Sequence, residues 1–169
     1  IDQLGLDIVD AGIATSAADL TFNTFTILEH DGQPVGDKPA RIEKILNTVR
    51  QYIDSNQTAP TGTRRTPRAL KQFKMATQVH ITQHPHLPQS AVEVITPDRP
   101  GLLAAIAGVF TELGINIATA RITTLGERVE DVFYVTNQAG QSITDPAKTE
   151  DIRRGICDEL DKHLKQLAS

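Results

Sequence analysis

Apolar positions fall into blocks of two different periods along the second half of the chain. Leu102, Leu103, Ile106, Val109, Phe110 and Leu113 stand three or four residues apart, which is the spacing of one helical face. Gly114 follows at once and predicts the end of that helix. "INIATARIT" and "VEDVFYVT" come next, rich in β-branched and aromatic residues and joined by a charged "LGER" turn, so they read as two strands. Asp145-Pro146 then supplies a capping residue followed by the residue favoured at a first helical position. Ile152, Ile156, Leu160 and Leu164 give the second helix its apolar stripe. "SAVEVITP", ahead of the first helix, is a further strand.

The first half of the chain repeats this pattern. "LGLDIVDAGIATS" from Leu4 matches "LGINIATARITTL" from Leu113, and "NTFTILEHDGQPVGDKPARIEKIL" from Asn23 matches "DVFYVTNQAGQSITDPAKTEDIRRGI" from Asp131. Leu4 pairs with Leu113, Gly5 with Gly114, Ala11 with Ala120, Phe25 with Phe133, and Gly32-Gln33 with Gly140-Gln141. The same order of turn, strand, Gly-Gln turn and Pro-started helix makes this an internal repeat. In copy one Pro39 opens the helix, and Ile42, Ile45, Leu46, Val49 and Ile53 line it as a core stripe. Copy one lacks the strand and most of the helix that should precede Leu4. The opening "IDQLGLDIVD" reads as a helix tail running into a strand, so the chain is expected to be a fragment of something longer.

Strand, helix, strand, strand, helix is five-sixths of a ferredoxin-like βαββαβ unit. The fold expected is therefore α+β, with two ferredoxin-like units, the first N-terminally incomplete. Residues 1–56 form the partial first unit, 57–75 a basic linker, and 76–169 the second unit. "ATQVHITQ" is strand-like and is separated from "SAVEVITP" by the breaker-rich "HPHLPQ". This predicts a hairpin in which strand 76–83 fills the fourth-strand slot of the second unit. The linker holds five basic residues and no acid in "NQTAPTGTRRTPRALKQFK", which reads first as a solvated tether and second as a docking patch.

Composition narrows the function. A net charge of −4 with 39% hydrophobic residues is that of an ordinary globular chain. No Trp and only 4% aromatic residues argue against a nucleic-acid stacking surface. No run approaches the ~20 apolar residues of a membrane span. A single cysteine, Cys157, excludes an internal disulfide framework and suits a reducing cytoplasm.

The chemistry-bearing stretches are few. In "VITPDRPGLLAAIAG" an Asp98-Arg99-Pro100-Gly101 corner joins a strand to a helix. Asp98 can cap that helix and Pro100 fits its first turn. Gly101 leaves the backbone N–H groups uncovered, and a helix N-terminus with free N–H groups favours an anion. No Gly-rich cradle or P-loop lysine accompanies it, so a carboxylate suits it better than a phosphate. Capping and ligand binding both remain open for this corner. Asn116 could pair with a polar ligand or be a surface turn residue, and Asp7 stands at the matching place in copy one. His80, His84 and His86 lack a nearby carboxylate, which favours a solvated loop over a metal site. Glu127, Glu130 and Asp131 read as a charged hairpin turn rather than a catalytic cluster, and Cys157, beside the helix stripe, as a small buried side chain. Nothing in the sequence looks like a catalytic constellation.

With repeat and corner in hand, the chain resembles tandem ACT domains, the βαββαβ modules that bind amino acids. "TPDRPGLLAAIAGVFTELGINIATARI" follows the ACT pattern from first strand to second strand. "ARITTLGERVEDVFYVTNQAGQSITDP", with "RRTPRALKQF" and "ATQVHIT", is similar to the C-terminal end of the enzyme family that adds and removes uridylyl groups on the PII nitrogen-signalling protein. The resemblance implies a regulatory region without a cofactor of its own. It implies L-glutamine as ligand, and catalytic nucleotidyltransferase and HD hydrolase domains, with Mg, elsewhere in the same protein. It also implies PII as the partner of that enzyme, and ACT–ACT pairing or a homodimer. By the same resemblance the ligand would meet Asp98, Arg99, Pro100, Gly101, Leu102 and Leu103, with Asn116, Ile117 and Ala118 lining the other side from the same or a facing unit. A ligand-free structural ACT module, and an ACT sensor of another amino acid on a different enzyme, are the alternatives.

Overall fold

The computed structural model describes residues 4–15, 21–55, 75–83, 86–99, 101–125 and 128–167. In chain order its elements are β1 (Leu6–Thr15), β2 (Thr21–Glu29), α1 (Pro39–Ser55), β3 (Gln78–Gln83), β4 (Ser90–Pro97), α2 (Leu102–Glu112), β5 (Asn116–Arg121), β6 (Thr124–Leu125), β7 (Arg128–Thr136) and α3 (Pro146–Leu167). The expected linker falls almost wholly outside the described residues.

Among the described residues the strands form one antiparallel sheet in the order β2-β1-β5-β7-β4-β3, with β6 off this path and paired to β7. The α+β class and the ferredoxin-like arrangement are thus present. Val79 faces Val94, Ile81 faces Val92, and Gln83 faces Ser90, so β3 lies antiparallel to β4 at the sheet's outer edge. On the other side of β4, Val92 faces Phe133 and Val94 faces Asp131 of β7.

The two copies meet at β1 and β5, where Ala11 lies opposite Ala120, its own repeat counterpart. Equivalent residues facing each other on antiparallel strands are the mark of a two-fold relation. Both alanines are buried. The likeness extends to irregularities. β1 breaks register between Ile8 and Asp10, and β5 between Ile117 and Thr119, at matching points of the repeat. The turns after β2 and β7 also match, with Glu29 N donating to Gln33 O at 2.8 Å and Asn137 N to Gln141 O at 2.8 Å.

The main core lies between the sheet and helices α2 and α3. Ile106, Phe110, Ile152, Ile156 and Leu160 meet Val92, Val94, Phe133 and Val135 there. Phe110 and Phe133 pack edge to face at 5.5 Å between ring centroids. At the α2–α3 contact a Cβ on Gly155 would lie 2.9 Å from Val109 Cγ1, so the close approach depends on the missing side chain. Asp145 caps α3, accepting from Ala147 N at 3.0 Å.

Copy one corrects the expected stripe. Of the α1 positions only Ile45 is buried, in a small cluster with Leu4 and Leu6. Ile42, Leu46 and Ile53 are exposed, and Phe25 is exposed where its counterpart Phe133 is buried. The physical reason is the sheet order. β7 is paired on both sides, whereas β2 is an edge strand, and no helix equivalent to α2 accompanies it among the described residues. Helical period marks a face that can be buried, but burial needs a partner layer.

Candidate functional site

The 98–103 corner is held from below. β4 brings in Thr96, which is fully buried, and Thr77 Oγ1 shares a 3.0 Å hydrogen bond with its hydroxyl. Thr77 Oγ1 also donates to Asp161 Oδ1 at 2.8 Å, tying the sheet end to α3. Gly101 is the N-cap of α2 with φ 77° and makes no side-chain cap. The capping expected of Asp98 is therefore corrected, because Asp98 stands upstream of the residue that occupies the cap position. Leu102 N donates to Arg99 O at 3.3 Å, and the first bond back to Gly101 O comes from Ala105 N at 3.0 Å. Left-handed φ at Gly101 is the conformation an L side chain resists, so the same residue both makes the turn and keeps the helix end uncovered.

The corner side chains divide. Leu102 is buried in the main core and Leu103 packs against it, so both anchor α2. Arg99 turns towards α3, donating through its guanidinium to the Leu160 carbonyl. Burial pushes the Arg99 pKa down, opposed by Asp161 and Glu159 nearby. Asp98 is half-buried, and Pro100 lies outside the described residues.

Asp131 is the residue the sequence reading misplaced. It is no turn charge. It occupies the middle of β7, on the face that also carries Val129, Phe133 and Val135, and is 1% exposed. Its Oδ1 accepts from Thr123 N at 3.2 Å. Its Oδ2 meets no donor among the described residues. Burial first, then the nearby Asp98 charge, push its pKa up to about 6, against the Thr123 hydrogen bond. The available signal was period two: in "VEDVFYV" the Asp falls in line with Val129, Phe133 and Val135, a core register. Glu130, on the opposite face, pairs with Arg128 instead. Glu127 lies outside the described residues.

Asn116, Ile117 and Ala118 do not join the corner within their own unit. Asn116 begins β5, and the 11 residues of α2 separate it from the corner, a span of about 16 Å at 1.5 Å per residue. Asn116 is exposed, with its amide donating to Asn137 O at 3.5 Å. Ala118 falls in the β5 bulge. Because β1 runs antiparallel to β5, the start of β1 lies at the sheet end where β4 enters the corner. The copy-one residue at that end is Asp7, whose Oδ2 lies 3.2 Å from His30 Nδ1.

No group of three potential metal ligands occurs among the described residues. His80 and His86 are exposed, and His84 lies outside the described residues. Cys157 is half-buried with Sγ 3.7 Å from Thr77 O, and burial pushes its thiol pKa up. No described helix is long and apolar enough to cross a membrane.

Residues 90–146 match the ACT domain family model. Over 161 residues the chain is 40% identical to the bifunctional uridylyltransferase/uridylyl-removing enzyme of Pseudomonas fluorescens (strain SBW25), covering 95% of this chain and 18% of that protein. The enzyme of the same description from Stutzerimonas stutzeri (strain A1501) is 40% identical over 170 residues, covering 100% of this chain and 19% of that protein. The one from Pseudomonas aeruginosa (strain LESB58) is 41% identical over 161 residues, covering 95% of this chain and 18% of that protein. The chain thus spans about a fifth of the length of the relatives it matches. The residues matched by the ACT family model include the corner, and nearly the whole chain is similar to a segment of bifunctional uridylyltransferase/uridylyl-removing enzymes.

Proposed function

We propose that this chain is the amino-acid-sensing regulatory part of an enzyme that uridylylates and deuridylylates PII, with L-glutamine as its ligand at the 98–103 corner. The observation that carries the reading is the uncapped start of α2, with Gly101 at φ 77° and no side chain over the helix end. First-turn N–H groups have no intrahelical acceptor, and the helix end is electropositive. A ligand α-carboxylate satisfies both. A metabolite near millimolar concentration needs only about −4 kcal/mol of binding. One carboxylate contact and a few hydrogen bonds, at about 0.5–1.5 kcal/mol each, supply that. Regulation then requires the ligand to prefer one arrangement of the two units, with a coupling of about 1–3 kcal/mol. Catalysis, with Mg, belongs to nucleotidyltransferase and HD hydrolase domains outside these residues, and PII is the substrate of that enzyme. The cytoplasm, where a free thiol persists, is the compartment that fits.

Isothermal calorimetry with glutamine, and with glutamate and serine as controls, tests the reading. Saturable heat with glutamine alone is expected. No heat with any amino acid would leave a structural ACT module, and serine selectivity a sensor of another kind. Gly101→Val is expected to abolish the glutamine heat, because its side chain covers the helix end, while far-UV circular dichroism still reports a folded chain. Unchanged affinity in that variant would remove the corner from the site.

A further inference from the structure

We infer that Asp131 is the acceptor for the ligand's α-ammonium group, so that the corner selects zwitterionic α-amino acids over simple carboxylates. The inference rests on the amino-acid-binding reading of the same corner. The geometry supplies two complementary halves. The start of α2 has no side-chain cap, and a helix N-terminus is an electropositive end that suits a carboxylate. In the core beneath it, β7 holds a carboxylate that is 1% exposed and has one oxygen without a donor among the described residues. Buried polar atoms are nearly always satisfied, so an orphaned carboxylate oxygen calls for a partner. That partner must donate hydrogen bonds and carry positive charge.

Its place in the fold fits the corner. Phe133, the next residue on the same face, meets Phe110 near the C-terminal end of α2. Val129, on the other side of Asp131, lies opposite Thr96 at the corner end of β4. Asp131 therefore sits beneath the first half of α2, and Asp98 is the neighbouring charge it feels. The neighbouring cations hold other partners, although Arg128 Nε, like Asp131 Oδ2, has no partner among the described residues. Arg99 donates to Leu160 O and is flanked by Glu159 and Asp161 of α3. Arg128 and Glu130 pair with each other from the opposite face of β7. A divalent metal would need a third ligand, and the described residues offer no such cluster. Copy one carries Asn23 at the matching position, where it is exposed on the edge strand β2.

Calorimetry on the intact chain tests this with glutamine and with glutaramate, which is glutamine lacking its α-amino group. Wild type is expected to bind glutamine and to reject glutaramate. Asp131→Asn is expected to lose about tenfold to a hundredfold in glutamine affinity, the value of a charge-assisted hydrogen bond. Its affinity for glutaramate should not fall. A carboxyl titrating at about 6 in the free protein is about one-tenth ionised at pH 5, so wild-type glutamine affinity should weaken about tenfold from pH 7 to pH 5. The variant's profile should be flat over that range. Wild type that binds glutamine and glutaramate equally, or Asp131→Asn with unchanged glutamine affinity and pH profile, overturns the inference and leaves the sensing role standing. Wild type that binds no amino acid overturns the sensing role itself.

Discussion

Replacing Asp131 by Asn should stabilise the chain at neutral pH and do little in mild acid. The native carboxyl holds its proton up to about pH 6, against an ordinary aspartate value of 3.8. Between those values the native state binds more protons than the unfolded chain, so stability falls as pH rises. The contribution is fully present below about pH 4 and lost by about pH 7. A shift of roughly two units at 1.36 kcal/mol per unit amounts to about 3 kcal/mol. The side chain is 1% exposed, so solvent screening takes little from this figure. An Asn cannot ionise, and its amide oxygen keeps the Thr123 N–H bond made at 3.2 Å by Oδ1. Urea unfolding of both proteins at half-unit steps from about pH 4 to about pH 8 measures the difference directly, because every other titrating group is common to the pair. The gap in favour of the variant should open between about pH 4 and about pH 6 and level off by about pH 7. A gap that stays constant within about 0.5 kcal/mol across the range would refute the buried, donor-short carboxylate.

The two copies of the helix stripe should respond unequally. Ile156→Ala, at a fully buried α3 position, should cost about 2–5 kcal/mol, whereas Ile53→Ala, 72% exposed on α1, should stay within about 0.5 kcal/mol; equal losses in chemical denaturation would contradict the bare copy-one face. Gly155→Ala sets a gain of about 1 kcal/mol in helix propensity against overpacking of about 1–3 kcal/mol. Its Cβ would stand 2.9 Å from the stiff Val109 side chain, so net destabilisation is expected, and a raised melting temperature would show that the α2–α3 contact yields.

The hydrophobic periods, the Gly-Gln turns and the repeat were all legible in the sequence, because they are set by local geometry. A helix repeats near 3.6 residues and a strand every two, whatever surrounds them. The hairpin before the second unit was equally readable from its breakers. Burial was another matter. Ile42, Leu46 and Ile53 carry the same period as Ile152, Ile156 and Leu160, yet remain exposed, because nothing in a helix's own sequence supplies the layer that covers it. The facing of Ala11 with Ala120 depends on two copies meeting edge to edge, which neither copy encodes alone. The corner shows the division most clearly. Sequence placed Asp98 to Leu103 at a strand–helix turn and put a glycine at its pivot. Only the tertiary structure set Asn116 a helix-length away, turned Arg99 into the α3 backbone, and moved Asp131 from an assumed surface turn into the core beneath α2. A pattern along the chain fixes which face a residue shares, while proximity and desolvation depend on which elements the fold stacks above it.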